Sequence, residues 1–452
     1  MNNLKIGYAS INVNPPLNYP IHGYYLERFG KGFIDDIEAS AIAISSNDKN
    51  ALIISVDNGG FTQDVIAKFL TAINNKTGID KDNIFISGTH SHTAPTTFLP
   101  EYFDVDETMV HSYISFLADK LAIIAKEALN DLQPATMGFA VGHAPDRVAY
   151  IRRYKMKDGS TCTCPPINDP NIDHPIGELD QRVNVIRFKR ENSFDVVIMN
   201  YGVHADTVNG DLFCSDWVGW TRRTIEKALD GTKCLCLMGA QGDVGSTNVH
   251  PIAGDMNDTE ISFDNEMKSP GMARFVGRAL AGVIMQVYDK VAFSDVEDIA
   301  VVKKILPVKM NIPDKKEIPL AKKYKELYET GRSDEIPYSG MELTTVVAEA
   351  LRICQMENDP EYSYLNVSGL RIGNVALISI PGEPFTDIGV KIKDTDGYDL
   401  ILPCAITNGY EGYFPMESAF LEGGYEARTS PYKASVATDI ISCAKQILKE
   451  LK

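Results

Sequence analysis

The chain has 452 residues with 44 basic and 61 acidic side chains, a formal charge of −17, and is 44% apolar. That length and balance exclude global disorder, a coiled coil and a small disulfide scaffold, and they suit a large α/β fold. The acidic excess, with no basic run of five or more residues, lacks the electrostatic footprint of a nucleic-acid or anionic-membrane partner, so a small-molecule substrate is expected.

The first residues carry no basic start followed by an apolar stretch, and no segment of about 18 apolar residues occurs, so a cytoplasmic chain without a membrane span is expected. The run Ala51-Leu-Ile-Ile-Ser-Val56 predicts a buried strand, after which Val65, Ile66, Phe69, Leu70 and Ile73 recur at helical spacing until Gly78. A second strand is predicted at 83–87, and others at 195–199, 233–237, 374–380 and 400–404, with helices around 109–130, 217–230, 270–290 and 433–451. This alternation predicts an α/β fold, with a large mixed sheet flanked by helices and one catalytic domain spanning 1–452. The charged stretch 293–365, with Lys322-Lys-Tyr-Lys-Glu326, reads as a peripheral insertion with two surface helices. Eight cysteines are too few for a disulfide framework in so long a chain, and the pairs Cys162/Cys164 and Cys234/Cys236 lack the spacing of a structural zinc site.

Chemistry-bearing residues follow the apolar runs. After Val56 comes Asp57-Asn-Gly-Gly60, after Ser87 comes Gly88-Thr-His-Ser-His-Thr-Ala-Pro95, and after Met199 come His204 and Asp206. After Leu237 comes Gly239-Ala-Gln-Gly-Asp243, and after Ile380 comes Pro381-Gly-Glu383. Ligand sites of open α/β sheets form outside the carboxyl ends of the strands, so these segments are expected to converge. His90 and His92, one residue apart in extended chain, face one side and suit zinc, and Asp243 is a candidate to orient a ligand histidine. The Gly-rich 239–245 segment has neither the Lys-Ser/Thr of a phosphate loop nor dinucleotide-fold spacing, and Gly-x-Ser-x-Gly and His-Glu-x-x-His are both absent. Arg152 and Arg153, beside a hairpin at Asp158-Gly159, are candidates to clamp a polar or carboxylate part of a substrate.

In sequence order, 6–16 with Gly23-Tyr24, the Thr89-His-Ser-His-Thr-Ala-Pro95 block, His204, 239–244, Pro381-Gly-Glu383, Asn408-Gly-Tyr-Glu-Gly-Tyr413 and Tyr425-Glu-Ala-Arg-Thr-Ser430 resemble the neutral (non-lysosomal) ceramidase family. The resemblance implies a zinc hydrolase with His90, His204, Glu383 and Tyr413 as metal ligands, His92 facing the substrate as proton donor, and Tyr425 stabilising the oxyanion. Gly245 stands where the family has a serine once proposed as nucleophile, unless Ser246 shifts by one, so water activated by zinc is the expected nucleophile. The chain ends with the helix after Tyr425, where true ceramidases continue into an immunoglobulin-like domain, so a small soluble amide is a better expectation than ceramide. A lactonase or esterase using the same site, or a noncatalytic metabolite binder with structural zinc, are the other readings.

Overall fold

The computed structural model describes residues 3–98, 105–251, 268–294 and 296–452. The strands form the expected large mixed sheet and a second, smaller one. The larger has nine strands, in the order Lys233–Met238, Val196–Tyr201, Arg182–Arg190, Gln133–His143, Lys5–Asn12, Glu38–Ser46, Lys49–Val56 and Ile84–Gly88, with Ala292–Ser294 attached to Gln133–His143. It is mixed, being parallel between Val196–Tyr201 and Lys233–Met238 and between Lys49–Val56 and Ile84–Gly88. The smaller runs Ile299–Lys309, Tyr362–Ile372, Val375–Ser379, Leu400–Cys404, with only its last pair parallel.

The apolar pattern explains the layering. In Glu38–Ser46, Ala39, Ala41 and Ala43 pack under the helices Gln63–Thr77 and Glu107–Asn130, while Ile42 and Ile44 point to the other face. That other face meets the smaller sheet, so that Ile53, Phe85, Ile186 and Leu235 share a core with Leu370, Leu377 and Leu402. Helices Asp216–Ala228 and Pro270–Tyr288 cover the rest of the larger sheet, and Thr386–Lys393 with Val436–Glu450 cover the smaller. The result is helix, sheet, sheet, helix, with most strands buried on both faces, and such strands read as unbroken apolar runs.

The small residues of the first strands record close helix approach. A Cβ on Gly7 would lie 1.9 Å from the Ala128 carbonyl oxygen of the helix Glu107–Asn130. Residues 293–365 do contain two helices, Ile318–Glu329 and Gly340–Gln355, with a small core of Leu327, Ile336, Val346 and Val347. Their flanks, however, are Ile299–Lys309 and the start of Tyr362–Ile372, strands of the smaller sheet. All eight cysteines are free. Among the described residues no helix is long and apolar enough to cross a membrane.

The two sheets bring their strand ends together. Ser55 Oγ donates to the Cys236 carbonyl at 2.8 Å, which joins strands far apart in the sheet order. The segment after Leu400–Cys404 completes the junction: Ala405 N–H donates to the Met238 carbonyl, and Gly88 N–H donates to the Ile406 carbonyl. The loops that follow Gly88, Tyr201, Met238, Ser379 and Cys404 therefore meet at one place.

Candidate metal centre

His90 occupies the left-handed region (φ 59°), an uncommon backbone for a residue with a Cβ. Its N–H donates to the Asn58 carbonyl at 2.8 Å, and its ring Nδ1 lies 2.6 Å from the Gly59 carbonyl. His204 Nδ1 lies 2.8 Å from the Gln241 carbonyl and 2.9 Å from that of Val244. A ring nitrogen that faces a carbonyl must carry the proton, so in both residues Nε2 presents its lone pair. Both lone pairs point at Glu383: Oε2 is 3.2 Å from His90 Nε2 and 2.9 Å from His204 Nε2. All three side chains are buried, His90 and His204 at 1% exposure and Glu383 at 0%.

Three acceptors facing one another in a buried site repel unless a proton or a cation stands between them. His90 Nε2, Glu383 Oε2 and both nitrogens of His92 are buried without a hydrogen-bond partner, so the donor set fits a metal ion. One nitrogen from each of His90, His92 and His204 falls within 4.8 Å of the others. Burial alone would raise the Glu383 carboxyl, but protons taken up by the facing His90 and His204 imidazoles outweigh it and hold the group well below the usual carboxylate range. For His92, burial and then the neighbouring His90, His204 and His22 imidazoles push the ring well below its ordinary value.

Glu383 is fixed from several directions. Glu383–Pro384 pairs in parallel with Tyr413–Phe414, and the other carboxylate oxygen, Oε1, accepts the Tyr410 hydroxyl at 3.0 Å. Gly242 packs so tightly that a Cβ there would stand 2.6 Å from the Glu383 carbonyl oxygen. Asp243 does not orient a histidine, contrary to the expectation for it. Its Oδ1 accepts Thr386 N–H and Thr386 Oγ1, both at 2.8 Å, at the start of the helix Thr386–Lys393. The carbonyls of Gln241 and Val244, on either side of it, take the histidine proton instead.

The other expected residues divide. His92 is anchored by its N–H to the Ala205 carbonyl at 2.9 Å, with Nδ1 3.6 Å from Asp206 Oδ1, beyond hydrogen-bond reach. Arg152 reaches the cluster: Nη1 is 3.3 Å from His204 Nε2, Nη2 donates to the Gly242 carbonyl at 2.8 Å, and Nε donates to Glu426 Oε1 at 2.7 Å. Arg153 does not reach the cluster, and its Nη2 donates to Glu422 Oε2 at 3.1 Å and the Gly423 carbonyl at 2.9 Å. Its guanidinium holds the 422–426 loop. Tyr413 and Tyr425 stand ring to ring with centroids 5.7 Å apart, and the Arg152 guanidinium is 5.4 Å from the Tyr413 ring centre. The Tyr425 hydroxyl donates to the Tyr25 hydroxyl at 3.3 Å. Gly245 pairs with Tyr150, and Ser246 is buried.

Four neighbours escaped the sequence reading. Tyr410 lies inside a quoted motif, but only its structure shows the bond to Glu383. His22 packs with ring centroids 5.8 Å from both His90 and His92, and burial, with the His90 imidazole next, pushes it down to about 3. Tyr25 and Glu426 touch Tyr425 and Arg152, which no local spacing announces.

No protein-family model and no curated protein sequence match this chain. Solved structures do. Neutral ceramidase from Pseudomonas aeruginosa superposes over 100% of this chain and 75% of its own, with a TM-score of 0.73 and 17% identity. A second structure, of a ceramidase complexed with C2, covers 100% of this chain and 76% of its own, with a TM-score of 0.70 and 14% identity. The chain has a neutral ceramidase-like fold.

Proposed function

We propose that the chain is a zinc-dependent hydrolase that cleaves the amide bond of a small soluble substrate. The observation that carries this reading is the buried convergence of His90, His92, His204 and Glu383, with acceptor atoms of His90, His92 and Glu383 left without a partner. His90, His204 and Glu383 would hold the ion, with Tyr413 as a fourth ligand, and such nitrogen and oxygen donors suit zinc. Bound zinc would supply Lewis acidity, which polarises a carbonyl and lowers the pKa of water to about 7.

The remaining steps belong to the chain's own groups. The Tyr425 hydroxyl turns from Tyr25 to donate to the substrate oxygen as charge develops there, and Arg152 Nη1 adds a fixed positive charge on the same side. His92, with neither ring nitrogen committed, takes up a proton and delivers it to the leaving amine. Gly245 offers no hydroxyl and none is required. The formal charge of −17 disfavours approach to an anionic bilayer, which supports a water-soluble substrate.

The test is a screen of the purified protein against chromogenic amides and esters and against long-chain ceramide in vesicles, with and without a chelator. Turnover of a soluble amide that the chelator abolishes is the expected result. Ester or lactone turnover without amide turnover moves the assignment to an esterase. Zinc without turnover of any of them makes the chain a binding protein, and robust ceramide turnover overturns the substrate class.

A further inference from the structure

The mechanism above uses Arg152 and Tyr425 but leaves unexplained the buried carboxylate between them. Glu426 has 0% exposure and directly follows Tyr425 in the short helix Tyr425–Thr429. Its Oε1 accepts Arg152 Nε at 2.7 Å, and its Oε2 accepts the Thr163 hydroxyl at 2.8 Å, with Arg153 Nε 3.7 Å away. Thr163 Oγ1 in turn accepts the Tyr425 N–H at 3.2 Å. One carboxylate thus ties Arg152, between the strands Tyr150–Ile151 and Arg153–Met156, to the helix that carries Tyr425.

The geometry points to Glu426 as a positioning residue that sets both oxyanion donors together, resting on the hydrolase reading above. Arg152 has three nitrogens, of which Nε is held by Glu426 and Nη2 by the Gly242 carbonyl. That double anchor fixes the guanidinium plane and leaves Nη1 aimed at the histidine cluster, 3.3 Å from His204 Nε2. An arginine without the Glu426 contact would keep one anchor and rotate about it, carrying Nη1 away. Because Glu426 and Tyr425 are adjacent in one turn, loosening the bridge also frees the Tyr425 hydroxyl. Displacement of a catalytic group by about 1 Å can cost about 10²-fold in rate, while substrate affinity, set elsewhere, is little changed.

The test compares the parent with Glu426→Gln, which keeps shape and removes charge. In [15N]arginine-labelled protein, the Arg152 Nε–H resonance, assigned by its loss in Arg152→Lys, should exchange slowly with solvent and should exchange at least about tenfold faster in Glu426→Gln. With an amide or ester that the parent turns over, kcat should fall about 10²-fold with KM and zinc content unchanged. Ethylguanidinium should restore part of the turnover of Arg152→Ala but none of that of Arg152→Ala/Glu426→Gln, a dependence that a purely structural role of Glu426 does not produce. If Glu426→Gln does not fold, Glu426→Asp, which withdraws the carboxylate by one methylene, should show the same faster exchange and lower kcat. Unchanged Nε–H exchange in the folded variant, parental kcat, or equal rescue of the single and double variants each overturn the positioning role. A parent with no hydrolase activity defeats the proposed function instead, and the exchange measurement still judges the Arg152–Glu426 bridge.

Discussion

Replacing Asp243 with Asn should stabilise the protein by an amount that grows as pH rises from about 3.8 to about 6 and is level above that. The buried carboxyl caps the helix that follows Glu383 through Thr386 N–H and Thr386 Oγ1, both bonds falling on Oδ1. An asparagine can keep both with its own Oδ1. Burial is the largest influence on Asp243 and pushes it from 3.8 up to about 6, against the hydrogen bonds from Thr386. A folded-state value above the unfolded one means that the fold prefers the protonated acid. Stability from this group is therefore fully present below about pH 3.8 and is lost as pH rises to about 6. At about 1.36 kcal/mol per pH unit the full loss is about 3 kcal/mol, about half of which is already incurred at pH 5. Relative to the parent, Asp243→Asn should thus gain about 1.4 kcal/mol in unfolding free energy between pH 5 and pH 8. Urea unfolding at both values measures this. Asp243→Ala, which deletes the cap, should instead lose about 1–3 kcal/mol at either pH. If Asp243→Asn is destabilised at pH 8 as much as Asp243→Ala, the ionised carboxylate is itself required and the burial argument fails.

Tyr410→Phe removes the hydroxyl that holds Glu383 Oε1 and should weaken zinc binding about 10- to 100-fold, measured by competition with a chromogenic chelator; unchanged affinity would show that the carboxylate needs no such support. Tyr413→Phe should lower zinc affinity with turnover partly restored by added zinc, whereas Tyr425→Phe should keep zinc and cut kcat by about 10²–10³ at similar KM. If neither substitution changes zinc content or kcat, both tyrosines are packing residues. Gly7→Ala should destabilise by about 1–3 kcal/mol in urea unfolding, because its Cβ would stand 1.9 Å from the Ala128 carbonyl oxygen; a neutral result would mean that the helix Glu107–Asn130 can retreat.

The strands legible in the sequence were those buried on both faces. Lys49–Val56 supplies Leu52, Ile54 and Val56 to the helix side and Ala51 and Ile53 to the sheet side, so it reads as continuous apolar chain. Glu38–Ser46, just as buried, carries alanine and serine where helices press close, and small residues give no hydropathy signal. The strand Ile299–Lys309, at the edge of the smaller sheet, exposes Lys303, Ile305, Pro307 and Lys309 at alternate positions, and its lysines disguised it as an insertion. The convergence of His90, His204 and Glu383 was readable because each follows an apolar strand, and strand ends gather in α/β folds. Asp243 shared that position, yet its carboxylate turned to the Thr386 helix end, a choice set by tertiary contacts. Arg152 and Arg153 were indistinguishable in sequence. Only their tertiary contacts, seen in place, send Arg152 to the cluster and Arg153 to Glu422.

The central claim is that the buried acceptors of His90, His204 and Glu383 are a zinc site, and elemental analysis of purified parent and His90→Ala tests it most directly. About one zinc per chain in the parent and little in the folded variant is the predicted result, since loss of one ligand should sharply reduce affinity. A parent that takes up no metal even when zinc is supplied, or a His90→Ala protein with full occupancy, would contradict it.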